Sequence, residues 1–199
     1  VFESIDVKKA IFAKLDAILV SHGHGDHIGD GVAIAKRTGA LVISNFEIVN
    51  YFTSRGCQGH PMNIGGGREF PFGHVKFTIA HHGSTGPEGE ALGNPMGVVL
   101  RIDGKKIYHA GDTALFYDMK LIGEYYKPDL VLVPIGGHYV MSPKDAAYAT
   151  KELIKPKMAW PMHYASNPFL KGTPAEFKAA LGQTSIQVID AEPGTKKQF

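Results

Sequence analysis

Residues 17–30 read AILVSHGHGDHIGD: a short apolar run, then three histidines and two aspartates crowded into residues 21–30. A run that is rich in Ile and Val, bounded by polar residues and closed by Ser21, makes residues 16–20 a buried strand. A helix over residues 27–38 follows, with Lys36 and Arg37 placed to suit the negative end of its dipole and Gly39 as its stop. Residues 41–44 are again strand-like and 47–52 form a short helix, so the chain opens with the strand, helix, strand order of a layered α/β domain.

His22 and His24 are two apart, so on extended chain their side chains leave on one side and a single cation could take both. Asp26 and His27 follow where strand gives way to helix, and the turn there can aim them at a second position nearby. Imidazole and carboxylate suit zinc, manganese or iron, and the lack of cysteine partners argues against a structural zinc knot. The cluster sits directly after a strand, where α/β sheets place their sites.

Further along, three stretches repeat the design of a strand end that carries a potential ligand. FTIAHHGS brings His81 and His82, IYHAGDT brings His109 and Asp112, and AWPMHY brings His163. Local sequence does not choose between His81 and His82. Around them, NIGGGREFPFG breaks the alternation, and its glycines at 65–67 read as a turn. Val75, Phe77 and Ile79 alternate as in a half-buried strand, and residues 97–113 give two strands about a tight turn at Asp103-Gly104. Residues 119–126 are helical, 130–134 a buried strand, 158–162 a strand, and 186–189 the last strand. Ser142-Pro143-Lys144-Asp145 opens a helix that runs to about residue 154, and Thr173-Pro174-Ala175-Glu176 opens another by the same capping chemistry.

The bulk numbers leave room for this and little else. At 199 residues and 44% hydrophobic composition, the chain can bury one substantial core and is expected to form a single domain over residues 1–199. Lys plus Arg (21) nearly balances Asp plus Glu (19), so nothing calls for nucleic acid or an anionic membrane as partner. The lone Cys57 cannot form an intrachain disulfide, which fits a reducing compartment or indifference to redox state. No apolar run approaches the roughly 18 residues of a membrane span, and no secretory leader is visible, so a soluble, cytoplasmic protein is expected. The first residue is Val1, followed by a loop-like stretch, and a missing natural start is one reading of that.

The set H-x-H-x-D-H at 22–27, His82, Gly111-Asp112 and the late His163 resembles the metallo-β-lactamase superfamily. GGREFPFG, YHAGDTALFYDMKLIGE, PDLVLVPIGG and PKMAWPMHY are closer still to its metal-dependent hydrolase branch related to the ascorbate-6-phosphate lactonase group, and the resemblance covers nearly the whole chain. It implies a four-layer αβ/βα sandwich with two divalent metal ions, zinc first and manganese or iron as alternatives, held at the edge between two sheets. It also implies that His22, His24 and His82 bind one ion, that Asp26, His27 and His163 bind the other, and that Asp112 bridges. By the same pattern His82 rather than His81 is the ligand, and His109 supports the site from behind. In that superfamily two or three strands precede the first motif, whereas only 21 residues do here. The first N-terminal strands are therefore expected to be lacking, because the natural protein is longer or because another chain, as in a homo-oligomer, supplies the edge.

Two such ions about 3.5–4 Å apart share a water and lower its pKa from about 15.7 toward about 7, which supplies a bridging hydroxide. Asp26 would then be the catalytic carboxylate, orienting the nucleophile and carrying its proton. A small ester-like substrate is implied, a lactone or phosphorylated lactone ahead of a phosphodiester or β-lactam. No G-x-S-x-G elbow competes, and the 65–67 glycines lack the Lys-Ser/Thr of a phosphate loop. In PIGGHYVMS, two glycines present His138 and Tyr139 as substrate contacts, and Tyr164 and Asn167 after His163 are similar candidates. His60 reads as a loop or packing residue and His74 as solvated. The alternatives are a nuclease or phosphodiesterase of the same fold, which would want a basic stripe, and a non-catalytic metal-bound sensor, which would be expected to lose Asp26 or the bridging ligand first.

Overall fold

The computed structural model describes residues 15–191 and residue 195, and the loop-like reading of residues 1–14 lies outside the described residues. Strand β1 (Ala17–Leu19) pairs in parallel with β2 (Leu41–Asn45), and β2 with β3 (Gly59–Met62), in a small sheet of order β1-β2-β3. Its helices are α1 (Gly25–Ile28), α2 (Gly31–Thr38) and α3 (Phe46–Thr53). The single helix expected over residues 27–38 is thus two. Gly29, at φ 44°, closes α1 with its N–H on the Gly25 carbonyl, and α2 restarts behind Asp30. Gly39 ends α2 at φ 70°, donating to the Ala35 carbonyl at 2.9 Å. Asn45 caps α3, its Oδ1 accepting the Ile48 N–H at 2.8 Å.

The larger sheet has the order β10-β9-β8-β7-β6-β5-β4. Strands β4 (Gly67–Phe70), β5 (Gly73–Ile79), β6 (Met96–Ile102) and β7 (Lys105–His109) run antiparallel to their neighbours. β8 (Leu130–Pro134), β9 (Met158–Met162) and β10 (Gln187–Val188) continue in parallel from β7. The glycines read as one turn are divided: residues 64–65 turn, and Gly67 already opens β4. The crossovers are α4 (Met119–Tyr126), α5 (Pro143–Tyr148) and α6 (Pro174–Leu181). Both proline-led helices start with complete capping boxes, Ser142 with Asp145 and Thr173 with Glu176. The helix expected to reach residue 154 changes hand-over: beyond Tyr148 it widens to a π-helical segment, Ala149–Ile154.

Alternation along the strands sorts side chains into three cores. Ile18 and Val42 face the first helices with Ile28, Ala35, Ile48 and Phe52. Ala17, Leu19 and Ile43 face the other way, against Val75, Phe77, Met96 and Val98 of the larger sheet. Val99, Tyr108, Val131 and Val133 point to that sheet's far side, under Met119, Ile122, Ala146, Leu153 and Phe177. Helices, sheet, sheet, helices: the layering is the expected four-layer sandwich, with three strands against seven among the described residues. Among the described residues no helix is long and apolar enough to cross a membrane.

Candidate metal centre

β1 ends one residue before Val20, and the chain then delivers His22 and His24 from extended backbone and Asp26 and His27 from α1. His82 follows β5, Asp112 follows β7, and His163 follows β9 directly. Their ligand atoms fall into two groups, His22 with His24 and His82, and Asp26 with His27, Asp112 and His163, each within 4.8 Å internally. One oxygen joins the groups. Asp112 Oδ2 lies 3.0 Å from His163 Nε2, 3.3 Å from His27 Nε2, 3.6 Å from His82 Nε2 and 3.9 Å from His22 Nε2. Asp26 Oδ2 stands 3.4 Å from both His27 and His163 Nε2.

The backbone that aims these groups is held tightly. Ser21 Oγ sits 3.0 Å from His22 Nδ1, which leaves Nε2 turned to the cluster. Gly111 makes the turn before Asp112 at φ 67°, where a Cβ would meet the Met96 carbonyl at 2.6 Å. His109 stays outside both groups; its Nδ1 accepts the Gly111 N–H at 3.1 Å and so braces that turn from behind. Thr113 Oγ1 accepts the His81 N–H at 3.0 Å, so His82 turns into the cluster while the exposed His81 ring lies edge-on to Phe116. His163 holds φ 55°, a left-handed conformation uncommon for a residue with a side chain.

Charge explains the rest. Burial, reinforced by His27, drives the His22 imidazole down to about 2, and burial likewise lowers His82, so both are neutral lone-pair donors. His163 goes the other way: burial opposes its charge, but Asp112 and Asp26 outweigh that and push it up to about 10. His27 is raised by the same two carboxylates against its burial. Asp26 is held below the usual carboxylate range by His163 and His27, and these two also overcome the effect of burial on Asp112.

The donor set fits divalent cations. His27 Nε2, His163 Nε2 and Asp112 Oδ1 are buried without a properly angled hydrogen bond, although their neighbours lie at contact distance. Asp112 Oδ2 lies 3.0 Å from His163 Nε2 and 3.3 Å from His27 Nε2, close to the roughly 3.3 Å that separates atoms sharing one tetrahedral zinc-sized sphere. Buried Asp112 and the more exposed Asp26 draw protons onto two imidazoles; a divalent cation would satisfy the same carboxylates and release those protons.

The four proposed substrate contacts sit on two loops beside this cluster. His138 and Tyr139 are exposed, Tyr164 is half-buried against the helix-side core, and exposed Asn167 uses its Oδ1 to accept the Phe169 N–H at 2.9 Å. Phe169, exposed and stacked on His138, carries no sequence signal that would single it out. His60 packs edge-on to Phe70 away from the cluster. His74 is half-buried beside Gly67 rather than solvated, because the β4–β5 hairpin folds over it.

Comparison with known proteins adds kinship to this geometry. The family profile described as "Beta-lactamase superfamily domain" matches residues 4–164. A UPF0173 metal-dependent hydrolase of Pelotomaculum thermopropionicum is 50% identical over 196 residues, covering 96% of this chain and 86% of that protein. Its counterpart from Carboxydothermus hydrogenoformans is 53% identical over 180 residues, 88% of this chain and 79% of that one. Among solved structures, Igni18, a metallo hydrolase from the archaeon Ignicoccus hospitalis, superposes with a TM-score of 0.81 at 40% identity, covering 92% of this chain and 78% of its own.

Proposed function

Because this chain belongs to the UPF0173 metal-dependent hydrolases of the β-lactamase superfamily, we propose that its histidine–aspartate cluster holds two divalent cations, zinc foremost, and hydrolyses a small ester-like substrate, a lactone by preference. The observation that carries this reading is the position of Asp112 Oδ2, within 3.0–3.9 Å of imidazoles from both ligand groups. One carboxylate so placed could serve two cations. His22, His24 and His82 hold the first and Asp26, His27 and His163 the second. When bound, the pair supplies Lewis acidity, acidifying a water toward neutrality and polarising the substrate's electrophilic oxygen.

The protein's own groups do the remaining work. Asp26 is the carboxylate best placed to move a proton, since its side chain is 36% exposed where that of Asp112 is 3%. It would orient the attacking water, take its proton on the carboxylate oxygen not engaged with the cation and pass it to the departing oxygen. Ser21 and the Gly111–Asp112 turn fix the imidazole and carboxylate directions, so little reorganisation is left for the reaction itself. The loops that carry His138, Tyr139, Tyr164 and Asn167 border the cluster and select the substrate.

Metal content per chain, measured by plasma mass spectrometry on tag-free protein purified without chelators, tests the reading. About two equivalents are expected, with lactone turnover, and His163→Ala should lose at least one. Well under one equivalent after incubation with zinc or manganese would overturn it.

A further inference from the structure

Two loops leave the larger sheet together, one after β8 and one after β9. They are laced to each other where Gly172 N–H donates to the Gly136 carbonyl at 3.1 Å, and the second loop is closed on itself by Ala165 N–H donating to the Leu170 carbonyl at 2.8 Å. They are also laced to the ligand strands. Met141 N–H donates to the carbonyl of Thr113, next to Asp112, at 3.2 Å, and Gly136 lies flat on the His163 carbonyl. Left-handed backbone at His138 (φ 55°) and Ala165 (φ 58°) completes the two bends.

The bends assemble three rings beside the cluster. His138 stacks on Phe169 at 5.1 Å and 24°, and Tyr139 stands edge-on to His138 at 4.4 Å and 87°. Yet Tyr139 is 52% and Phe169 55% exposed, so large ring surface faces water on a rigid frame. Ring faces carry the negative side of the aromatic quadrupole. Those faces attract flat apolar groups, and among the three residues only the Tyr139 hydroxyl and the His138 ring N–H, at the ring edges, could donate to a phosphate.

We propose that His138, Tyr139 and Phe169 form a preassembled aromatic wall that takes the flat, apolar part of the substrate, so that the enzyme prefers aryl-fused or aryl-substituted lactones to phosphorylated ones. The proposal rests on the hydrolase reading above. It places specificity in a surface that needs no rearrangement on binding, because the rings are already packed on one another.

The test compares dihydrocoumarin with δ-valerolactone, which differ by a fused benzene ring, on the metal-loaded protein. Phe169→Ala is expected to lower kcat/KM for dihydrocoumarin about tenfold, mostly through KM, and to leave δ-valerolactone within about twofold. Tyr139→Ala should also lower kcat/KM for dihydrocoumarin, and Leu121→Ala, exposed on α4, should move neither substrate. An equal loss for both lactones, or no loss for either, overturns the wall. If the wild type hydrolyses neither lactone, saturation-transfer NMR decides separately. Transfer to the aromatic protons of dihydrocoumarin that disappears in Phe169→Ala upholds the wall while the lactone reading falls, and no transfer in the wild type overturns the wall itself.

Discussion

Gly136→Ala probes how firmly the fold positions His163. A Cβ at residue 136 would fall on the His163 carbonyl oxygen and 2.7 Å from Leu170 Cδ2, both inside the 3.0 Å that real Cβ atoms respect. Leu170 is 1% exposed and has no room to swing away. The His163 backbone must therefore retreat by more than about half an ångström, against a tolerance of about 0.2 Å for a metal ligand. His163 Nε2 starts 3.0 Å from Asp112 Oδ2 and 3.4 Å from Asp26 Oδ2, so the displacement separates the second ligand group. Overpacking of this kind costs about 1–3 kcal/mol. For a domain of this size that is a fall of roughly 3–10 °C in Tm. Misplacement approaching an ångström should cost about 100-fold in kcat/KM and weaken zinc in a chelator competition. Gly137→Ala is the control: at φ 72° with open space around its Cβ position, it suffers backbone strain of about 1–2 kcal/mol without touching His163. Equal metal affinity and equal turnover in the two variants would refute the argument that the Gly136 contact sets the ligand's position.

Asp112→Asn should keep the far-ultraviolet dichroism of the wild type, lose more than about 100-fold in affinity for at least one cation and lose most turnover, whereas His60→Ala should leave metal content unchanged. Full metal content and turnover in the aspartate variant would remove Asp112 from the centre. Asp129 accepts the Lys106 backbone N–H at 2.9 Å and the Lys157 ammonium at 2.8 Å, and Lys157 chiefly holds its carboxyl below the usual range. Asp129→Ala should cost about 1–2 kcal/mol in urea melts at pH 7. Because the folded carboxyl is the stronger acid, that difference is full above about pH 5 and shrinks as pH falls below about 4; a gap that persisted at low pH would show another origin. Thr173→Ala removes the capping box of α6 and should lower stability by about 1 kcal/mol with kcat/KM untouched.

Much of the site was legible because it is written in short-range grammar. His22, His24, Asp26 and His27 fall within six residues just after a strand, and apolar patterning located the strand ends that bring Asp112 and His163. The four layers were implied by the family resemblance, and the structure builds them by alternation, Ile18 and Val42 to one side, Leu19 and Ile43 to the other. What escaped was decided by partners distant in sequence. GHPM at 59–62 reads as loop, with Gly59 and Pro61, and becomes β3 only because β2 offers it a parallel edge. Nothing in Ala149–Ile154 signals a π segment. The stacking of Phe169 on His138 joins two loops about thirty residues apart in sequence, which no local pattern encodes.

The seven candidate ligands reach from His22 to His163, so the cluster exists only after both sheets have docked. On the reading proposed here, an occupied centre ties β1 to β9, the first and ninth strands among the described residues. A cation at 1,000 times its Kd adds about 4 kcal/mol to stability through that linkage. Scarcity of metal would then register in a cell first as a shortened lifetime before the proteases, ahead of any slowing of turnover, because the side chains that govern catalysis also govern how often the chain opens.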